Sequence, residues 1–261
     1  MISIVLRSIL FNVLFYIHLT GLMLLGLPCL LMNRHAAMGM ARQWGKNSLW
    51  LLEYVCHLKV EFAGLENIPQ GAAIMCAKHQ SILETFALII PVDDFTYIVK
   101  RELTFIPLFG WYLWGTEQLA INRRKGSSAL NQVVNLARKI LPQGRKLIIF
   151  PEGTRRAAGA PPEYKFGATY LYSETGVPCL PVALNAGLFW PRRSFLRRPG
   201  VLTIEFLPVI GPGLGRQEFA ALLQERIEAA TNRLMAAAIT RDPSLAANMM
   251  KSRQQEQNQT S

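Results

Sequence analysis

Cysteine is scarce and scattered in this chain. Cys29, Cys56, Cys76 and Cys179 make no Cys-x-x-Cys pair and no Cys/His cluster, which excludes a disulfide framework and the usual zinc spacings. Cys76 and Cys179 lie inside apolar runs and read as small core residues, so a reducing compartment is the easiest fit. Acidic side chains are few as well. The 17 Asp and Glu stand against 28 Lys and Arg, and the net charge of +11 draws the protein to anions. Nucleic acid, anionic lipid headgroups and phosphorylated substrates all meet that description. Charged residues make up only 17% of the chain and apolar ones 51%, which excludes intrinsic disorder and favours lipid among those anions. No zinc finger or RNA-stacking motif speaks for nucleic acid. A Gly-x-Ser-x-Gly elbow is missing too, so no serine nucleophile is on offer. Gly110 and Gly115 have the spacing of a phosphate loop, but Thr116 occupies the lysine position, which discounts an NTPase.

The longest gap in charge runs over residues 8–32, which hold no Asp, Glu, Lys or Arg. A helix over that gap is long enough to cross the ~30 Å hydrocarbon core of a bilayer. A signal peptide fits less well: no small-x-small site closes the run, and Gly26-Leu27-Pro28 interrupts it. Arg34, Arg42 and Lys46 follow the run while only Arg7 precedes it. That asymmetry puts the body of the protein on the cytoplasmic face, at the inner membrane in a bacterium. A second stretch, residues 48–58, is too short to span and contains Glu53; it reads as an amphipathic helix lying on the membrane or on the first helix. A spanning segment and a re-entrant or interfacial helix pair both satisfy these residues.

From Lys59 the pattern changes to short apolar runs separated by turn signals. Val60-Glu61-Phe62 reads as a short strand, and residues 72–77, 96–100, 119–122, 146–150, 179–184 and 201–207 as further strands. Helical patterns alternate with several of them. Leu130, Val133, Val134, Ala137, Ile140 and Leu141 fall on one helical face that Pro142 and Gly144 bring to an end. Residues 165–175 form a second helix with Gly176 just past its end. Residues 217–239 form a third, with Phe219, Leu222, Leu223, Ile227 and Leu234 on its apolar side. Strands alternating with helices predict an α/β fold, a mostly parallel sheet flanked by helices with the N-terminal membrane-associating helical segment attached. The expected parts are membrane-anchoring helices over 1–58, an α/β domain over 59–240 and a polar C-terminal tail over 241–261, disordered from Lys251.

The stretch Lys78-His79-Gln80-Ser81-Ile82-Leu83-Glu84 joins the run 72–77 to a second apolar run, 86–90. A strand that delivers His79 to its C-terminal end, just before a helix, puts an imidazole where open α/β sheets place their chemistry. Glu84 follows five residues on, and a carboxylate there can fix the tautomer of the ring and stabilise its protonated form. Glu84 has a structural reading as well. Ser81-x-x-Glu84 ahead of an apolar run is a capping box with Ser81 as N-cap. Residues five apart on a continuous helix point about 140° apart, so His79 must precede the helix in either case.

The run 146–150 leads into Phe150-Pro151-Glu152-Gly153-Thr154-Arg155. Gly153 frees backbone N–H groups for an anion, and Arg155 offers a planar fork for phosphate; an ordinary Pro-Gly turn with a surface arginine is the plain alternative. Lys100 and Arg123 close two other strands in the same way. With His79 and Arg155 they would form one basic crevice at the C-terminal edge of the sheet. Residues 103–114 are bulky and apolar, and suit an acyl tunnel, a segment dipping into the bilayer, or plain core packing. Residues 190–198 mix Trp190 and Phe195 with Arg192, Arg193, Arg197 and Arg198, and read as a loop facing anionic lipid.

In their order these motifs resemble the glycerolipid acyltransferase family, and within it the 1-acyl-sn-glycerol-3-phosphate (lysophosphatidic acid) acyltransferases. The family's His-x4-Asp is matched by His79 and Glu84, with Glu as a departure one methylene longer. Its second block resembles Lys100-Arg101-Glu102-Leu103 through Gly115, with Ile121-Asn122-Arg123. Its third is met in full by Phe150-Pro151-Glu152-Gly153-Thr154-Arg155, and its fourth looks like Val177-Pro178-Cys179-Leu180-Pro181-Val182. The likeness covers about residues 59–207. It implies transfer of a fatty acyl group from acyl-CoA or an acyl carrier protein to the free hydroxyl of lysophosphatidate, giving phosphatidate in phospholipid synthesis, with no cofactor and no metal. It implies His79 as general base and Glu84 as its orienting carboxylate. Lys100, Arg123 and Arg155 would hold the acceptor's phosphate, and Glu152, Gly153 and Thr154 would shape the acceptor pocket. Acyl transfer to another lysolipid, such as a lyso-ornithine lipid, is the alternative among enzymes. A basic membrane- or nucleic-acid-binding protein is the alternative outside them, and cations at several strand ends beside a His and a carboxylate argue against it.

Overall fold

The computed structural model describes residues 2–122 and 126–260. Three helices lead the chain: α1 (Ile2–Leu25), the short α2 (Leu27–Met32) and α3 (Arg34–Cys56). At the α1–α2 break only glycine fits, since a Cβ on Gly26 would lie 2.5 Å from the Tyr112 hydroxyl and 2.9 Å from the Leu22 carbonyl oxygen. Asn33 caps α3 by accepting the Ala36 N–H at 2.9 Å. α1 and α3 run antiparallel: the Cys56 thiol reaches the Arg7 carbonyl at one end, and Met40 lies against Gly26 at the other. The amphipathic helix expected over 48–58 is the second half of α3, continuous from Arg34. Ser48, Leu52 and Cys56 turn inward at spacings of four, while Trp50 and Tyr54 face out.

α1 buries only Ser8, Phe11 and Phe15, again one stripe at helical spacing. Leu6, Ile9, Leu10, Val13, Tyr16, Ile17, Leu24 and Leu25 are exposed, an apolar surface that folding in water does not account for. With 24 residues α1 is about 36 Å long, and by length and composition it can cross a membrane.

The seven strands are β1 (Leu58–Ala63), β2 (Ala73–Ala77), β3 (Phe95–Lys100), β4 (Leu119–Ile121), β5 (Lys146–Ile149), β6 (Cys179–Leu184) and β7 (Gly200–Phe206). They form one sheet in the order β1-β7-β6-β2-β5-β3-β4. Among the described residues every pairing is parallel except β6 with β7. β2 to β6 therefore share one direction and end at one edge. β2 is buried along its whole length, which is why it reads as an unbroken apolar run. Its alternate side chains feed two cores. Met75 and Ala77 join Phe11, Phe15, Phe86 and Trp190 on one face; Ile74 and Cys76 join Val133, Leu171, Phe219 and Leu223 on the other.

The first face is covered by α1, α3 and the single turn α4 (Glu84–Ala87), followed in the chain by α5 (Phe109–Gly115). The second is covered by α6 (Gly126–Ile140), α7 (Phe166–Thr175) and the first half of α9 (Arg216–Arg241). The turn α8 (Ala186–Phe189) follows β6, and α10 (Ser244–Thr260) ends the described chain. The mostly parallel sheet flanked by helices is as expected. The disordered tail is not: residues 244–260 are helical, and Glu256 of α10 pairs with Arg156 at 2.9 Å and accepts the Ala157 N–H at 2.8 Å. The 190–198 loop also needs correction. Arg197 is buried, its guanidinium 4.0 Å from the Trp190 ring and 2.8 Å from Asn12 Oδ1, while its N–H reaches Ser8 Oγ at 2.9 Å. That arginine fastens α1 to the α/β domain instead of facing lipid.

At the opposite edge of the sheet a second clamp holds the N-terminal helices. Arg145, fully buried, meets Asp94 at 3.0 Å and Glu117 at 3.1 Å, and Arg34 at the start of α3 meets the same two carboxylates. These ion pairs join the start of α3 to the segments before β3, β4 and β5.

Candidate active site

β2 ends at Ala77, and the next two residues lie at the C-terminal edge of the sheet. His79 Nδ1 stands 2.9 Å from Glu84 Oε1. The same oxygen accepts the Gln80 and Ser81 N–H groups, each at 2.7 Å. The capping role and the imidazole contact are thus one arrangement: the carboxylate that closes the turn before α4 also holds the ring. Ser81 departs from the expected box, because its Oγ takes the Leu83 N–H at 3.3 Å. Glu84 is wholly buried, whereas the His79 side chain keeps 15% of its surface. A carboxylate beside Nδ1 favours the tautomer with its proton on Nδ1, which leaves Nε2 as an acceptor on the far side of the ring.

The Phe150–Arg156 loop grips His79 from below. Phe150 stacks on the imidazole, with centroids 3.9 Å apart and planes 14° apart. Glu152 Oε2 accepts the His79 N–H at 2.9 Å, and the His79 carbonyl accepts the Arg156 N–H at 2.8 Å. Gly153 adopts φ +69, the left-handed region that turns the loop back toward the sheet edge. Glu152 is buried, and its other oxygen is 2.8 Å from Lys78 Nζ. Burial pushes the Glu152 carboxyl above its ordinary range, while Lys78 and the His79 N–H pull it back.

His79 and Gly153 share the wall of a cavity of about 600 Å³ that runs between the sheet and α6 and α7. Ile98, Ile121, Leu130, Val133 and Leu171 make its interior apolar, and Lys165 stands among its lining residues. The bulky segment 103–114 does not line it. Phe105, Ile106, Phe109, Trp111 and Trp114 are exposed, and Tyr112 ties this segment to α1 through the Met23 carbonyl at 2.9 Å. The segment thus extends the exposed apolar surface of α1 and α2.

Strand direction brings the predicted positions to one edge. Lys100 ends β3, and Glu152, Gly153, Thr154 and Arg155 follow β5, next to β2 in the sheet. Neither Lys100 nor Arg155 pairs with a carboxylate among the described residues. Thr154 is exposed. Arg123 lies outside the described residues. Sequence reasoning passed over Lys78, Phe150 and Gln80, whose Oε1 accepts the Gly187 N–H at 2.9 Å. Its one available signal was a lysine directly beside a histidine at the end of a wholly apolar strand.

The acyltransferase family model matches residues 59–185. A 1-acyl-sn-glycerol-3-phosphate acyltransferase of Pseudomonas aeruginosa is 35% identical over 199 residues, covering 75% of this chain and 76% of the relative. One of the same name from Cocos nucifera is 31% identical over 141 residues, covering 53% of this chain and 46% of its own length. The crystal structure of the 1-acyl-sn-glycerophosphate (LPA) acyltransferase from Thermotoga maritima matches with a TM-score of 0.73 at 25% identity, over 89% of this chain and 98% of that one.

Proposed function

This chain belongs to the acyltransferase family, and from that premise we propose that it moves a fatty acyl group from a thioester to the free hydroxyl of lysophosphatidate, giving phosphatidate. The names of its relatives support that acceptor. One observation carries the mechanism: His79 is held on Nδ1 by the buried Glu84 at 2.9 Å, and it borders an apolar cavity at a sheet edge that also bears Lys100 and Arg155.

His79 Nε2 takes the proton of the acceptor hydroxyl as its oxygen attacks the thioester carbonyl. The imidazolium that forms faces the Glu84 carboxylate. The tetrahedral intermediate collapses, the C–S bond breaks, and the proton on Nε2 passes to the leaving thiolate. Proton, acyl group and thiol balance with no covalent enzyme intermediate, and this chemistry asks for neither metal nor cofactor. The donor is acyl-CoA or acyl carrier protein, its chain lying in the apolar cavity. Lys100, Arg123 and Arg155 hold the acceptor's phosphate, with Gly153 and Thr154 beside it. Residues 1–58 seat the 59–240 domain on the bilayer through the exposed faces of α1, α2 and the 103–114 segment, on the cytoplasmic side.

The test is thiol release from acyl-CoA or acyl carrier protein with lysophosphatidate as acceptor, with other lysolipids run in parallel. His79→Ala should abolish turnover while the protein still partitions with membranes. Undiminished turnover in that variant overturns the mechanism, and a preference for another lysolipid overturns the acceptor.

A further inference from the structure

A line of charge runs beneath the candidate site without entering the crevice. Lys78, with 3% of its side chain exposed, places Nζ 2.8 Å from Glu152 Oε1 and 2.7 Å from Glu228 Oε1. Tyr164 donates its hydroxyl to that same Glu228 oxygen at 3.0 Å, and its ring lies 5.9 Å from the ammonium. Glu152 closes the line on the His79 N–H at 2.9 Å. The participants come from four places: the end of β2, the loop after β5, the segment before α7, and α9. Glu228 stands outside the stretch 59–185 that the family model matches.

As a stabilising device this is a poor choice. Two carboxylates around one buried ammonium leave an excess negative charge where desolvation is severe, and a packed apolar trio would hold the elements at least as well. What the arrangement supplies is direction. A carboxylate held at one oxygen swings; Glu152 is held at both. A lysine stem of four methylenes swings too, and Lys78 is held by two carboxylates from different elements. We propose that Lys78 and Glu228 are positioning residues for His79, acting through Glu152. The backbone of His79 is thereby fixed relative to α9, so the imidazole meets both Glu84 and the acceptor hydroxyl without searching. The inference rests on His79 being the base.

The charged and titratable groups facing Lys78 and the His79 backbone are Glu152, Glu228 and Tyr164, with Glu84 on the ring side and the Cys76 thiol two residues back along β2. Removing one of opposite charge should therefore move the acid limb of kcat/KM in opposite directions. Lys78→Met, Glu228→Gln, the double variant and His79→Ala would be assayed by thiol release with lysophosphatidate in mixed micelles, beside thermal melting. Lys78→Met should lower kcat tenfold or more with acceptor KM held within twofold, and raise the acid limb. Glu228→Gln should lower kcat about threefold at constant KM, and lower the acid limb. The double variant should be no worse than Lys78→Met, since Glu228 acts only through Lys78. Losses that appear in KM, losses that multiply, or limbs that do not move overturn the proposal. If Lys78→Met fails to fold, Glu228→Gln decides alone, and parental kcat with a parental limb overturns it. A His79→Ala enzyme that still turns over defeats the reading beneath. A dead His79→Ala beside parental network variants defeats the network only.

Discussion

Glu84→Gln isolates the charge on the carboxylate from its geometry. The amide has the same volume, and its carbonyl oxygen can sit where Oε1 sits, accepting from Gln80, Ser81 and His79 at 2.7, 2.7 and 2.9 Å. What disappears is the negative charge beside a ring that becomes positive during turnover. With charge centres about 4 Å apart, an ion pair is worth about 4 kcal/mol at an effective dielectric of 20. The neutral carbonyl dipole recovers part of this, so ~2–3 kcal/mol of transition-state stabilisation should be lost, about 30- to 150-fold in kcat. Glu84 touches no acceptor atom in this mechanism, so the acceptor KM should stay within twofold. Two charge-assisted bonds to backbone N–H groups become neutral ones, which should cost about 1 kcal/mol of stability, small enough for the variant to be purified folded. Glu84→Ala would answer less cleanly, because it strands three donors at a wholly buried oxygen position. Thiol release at saturating lysophosphatidate measures the effect. A kcat within threefold of the parent, or a loss confined to KM, refutes the role of Glu84 as the stabiliser of imidazolium.

Arg155→Ala should raise the acceptor KM about tenfold with kcat within twofold, and an unaltered KM removes Arg155 from the phosphate site. Arg197→Met keeps an apolar stem but removes the guanidinium from the Trp190 ring and the donor from Asn12; a loss of ~1.5–3 kcal/mol and faster proteolysis within residues 1–33 should follow, and an unchanged melt refutes Arg197 as the fastening of α1. Val133→Trp would fill the cavity between the sheet and α6 and should shift donor preference toward shorter acyl chains; an unchanged chain-length profile places the acyl chain elsewhere.

The central strands β2 and β6 were legible because a strand buried on both faces leaves little but apolar side chains to choose from. β6 matches its expected bounds, and the others differ by one or two residues at their ends. The reversal of β7 was not legible. Its direction is set by where Gly200 meets the His57 carbonyl, a contact across more than half of the chain. The helix α10 was missed for a related reason. Its sequence carries no apolar stripe long enough to read, and part of what holds it is an ion pair with Arg156, whose position is fixed by the His79 loop.

The candidate site shows where local pattern stops carrying information. His79 and Glu84 are five residues apart, so spacing and turn chemistry presented both roles of the carboxylate, though as rivals. One oxygen with three donors shows that they need not be. A turn tight enough to be capped by Glu84 is also tight enough to bring His79 Nδ1 onto the same atom. Glu152 was legible as part of a motif, but its partners were not. A carboxylate after a strand reads as pocket lining unless its partners are known, and its partners are Lys78 and a backbone N–H beside it in space, 73 residues away in the chain. Arg197 was misread by the same logic: four arginines near two aromatic residues resemble a lipid-facing loop until one guanidinium is found between Trp190 and α1. In each case the residue type was right for two environments, and only long-range packing chose between them. Charged side chains near the sheet edge therefore divide by their partners: Lys100 and Arg155 have no carboxylate partner among the described residues, Lys78 and Glu152 pair beneath His79, and Arg197 ties α1 to the segment before β7.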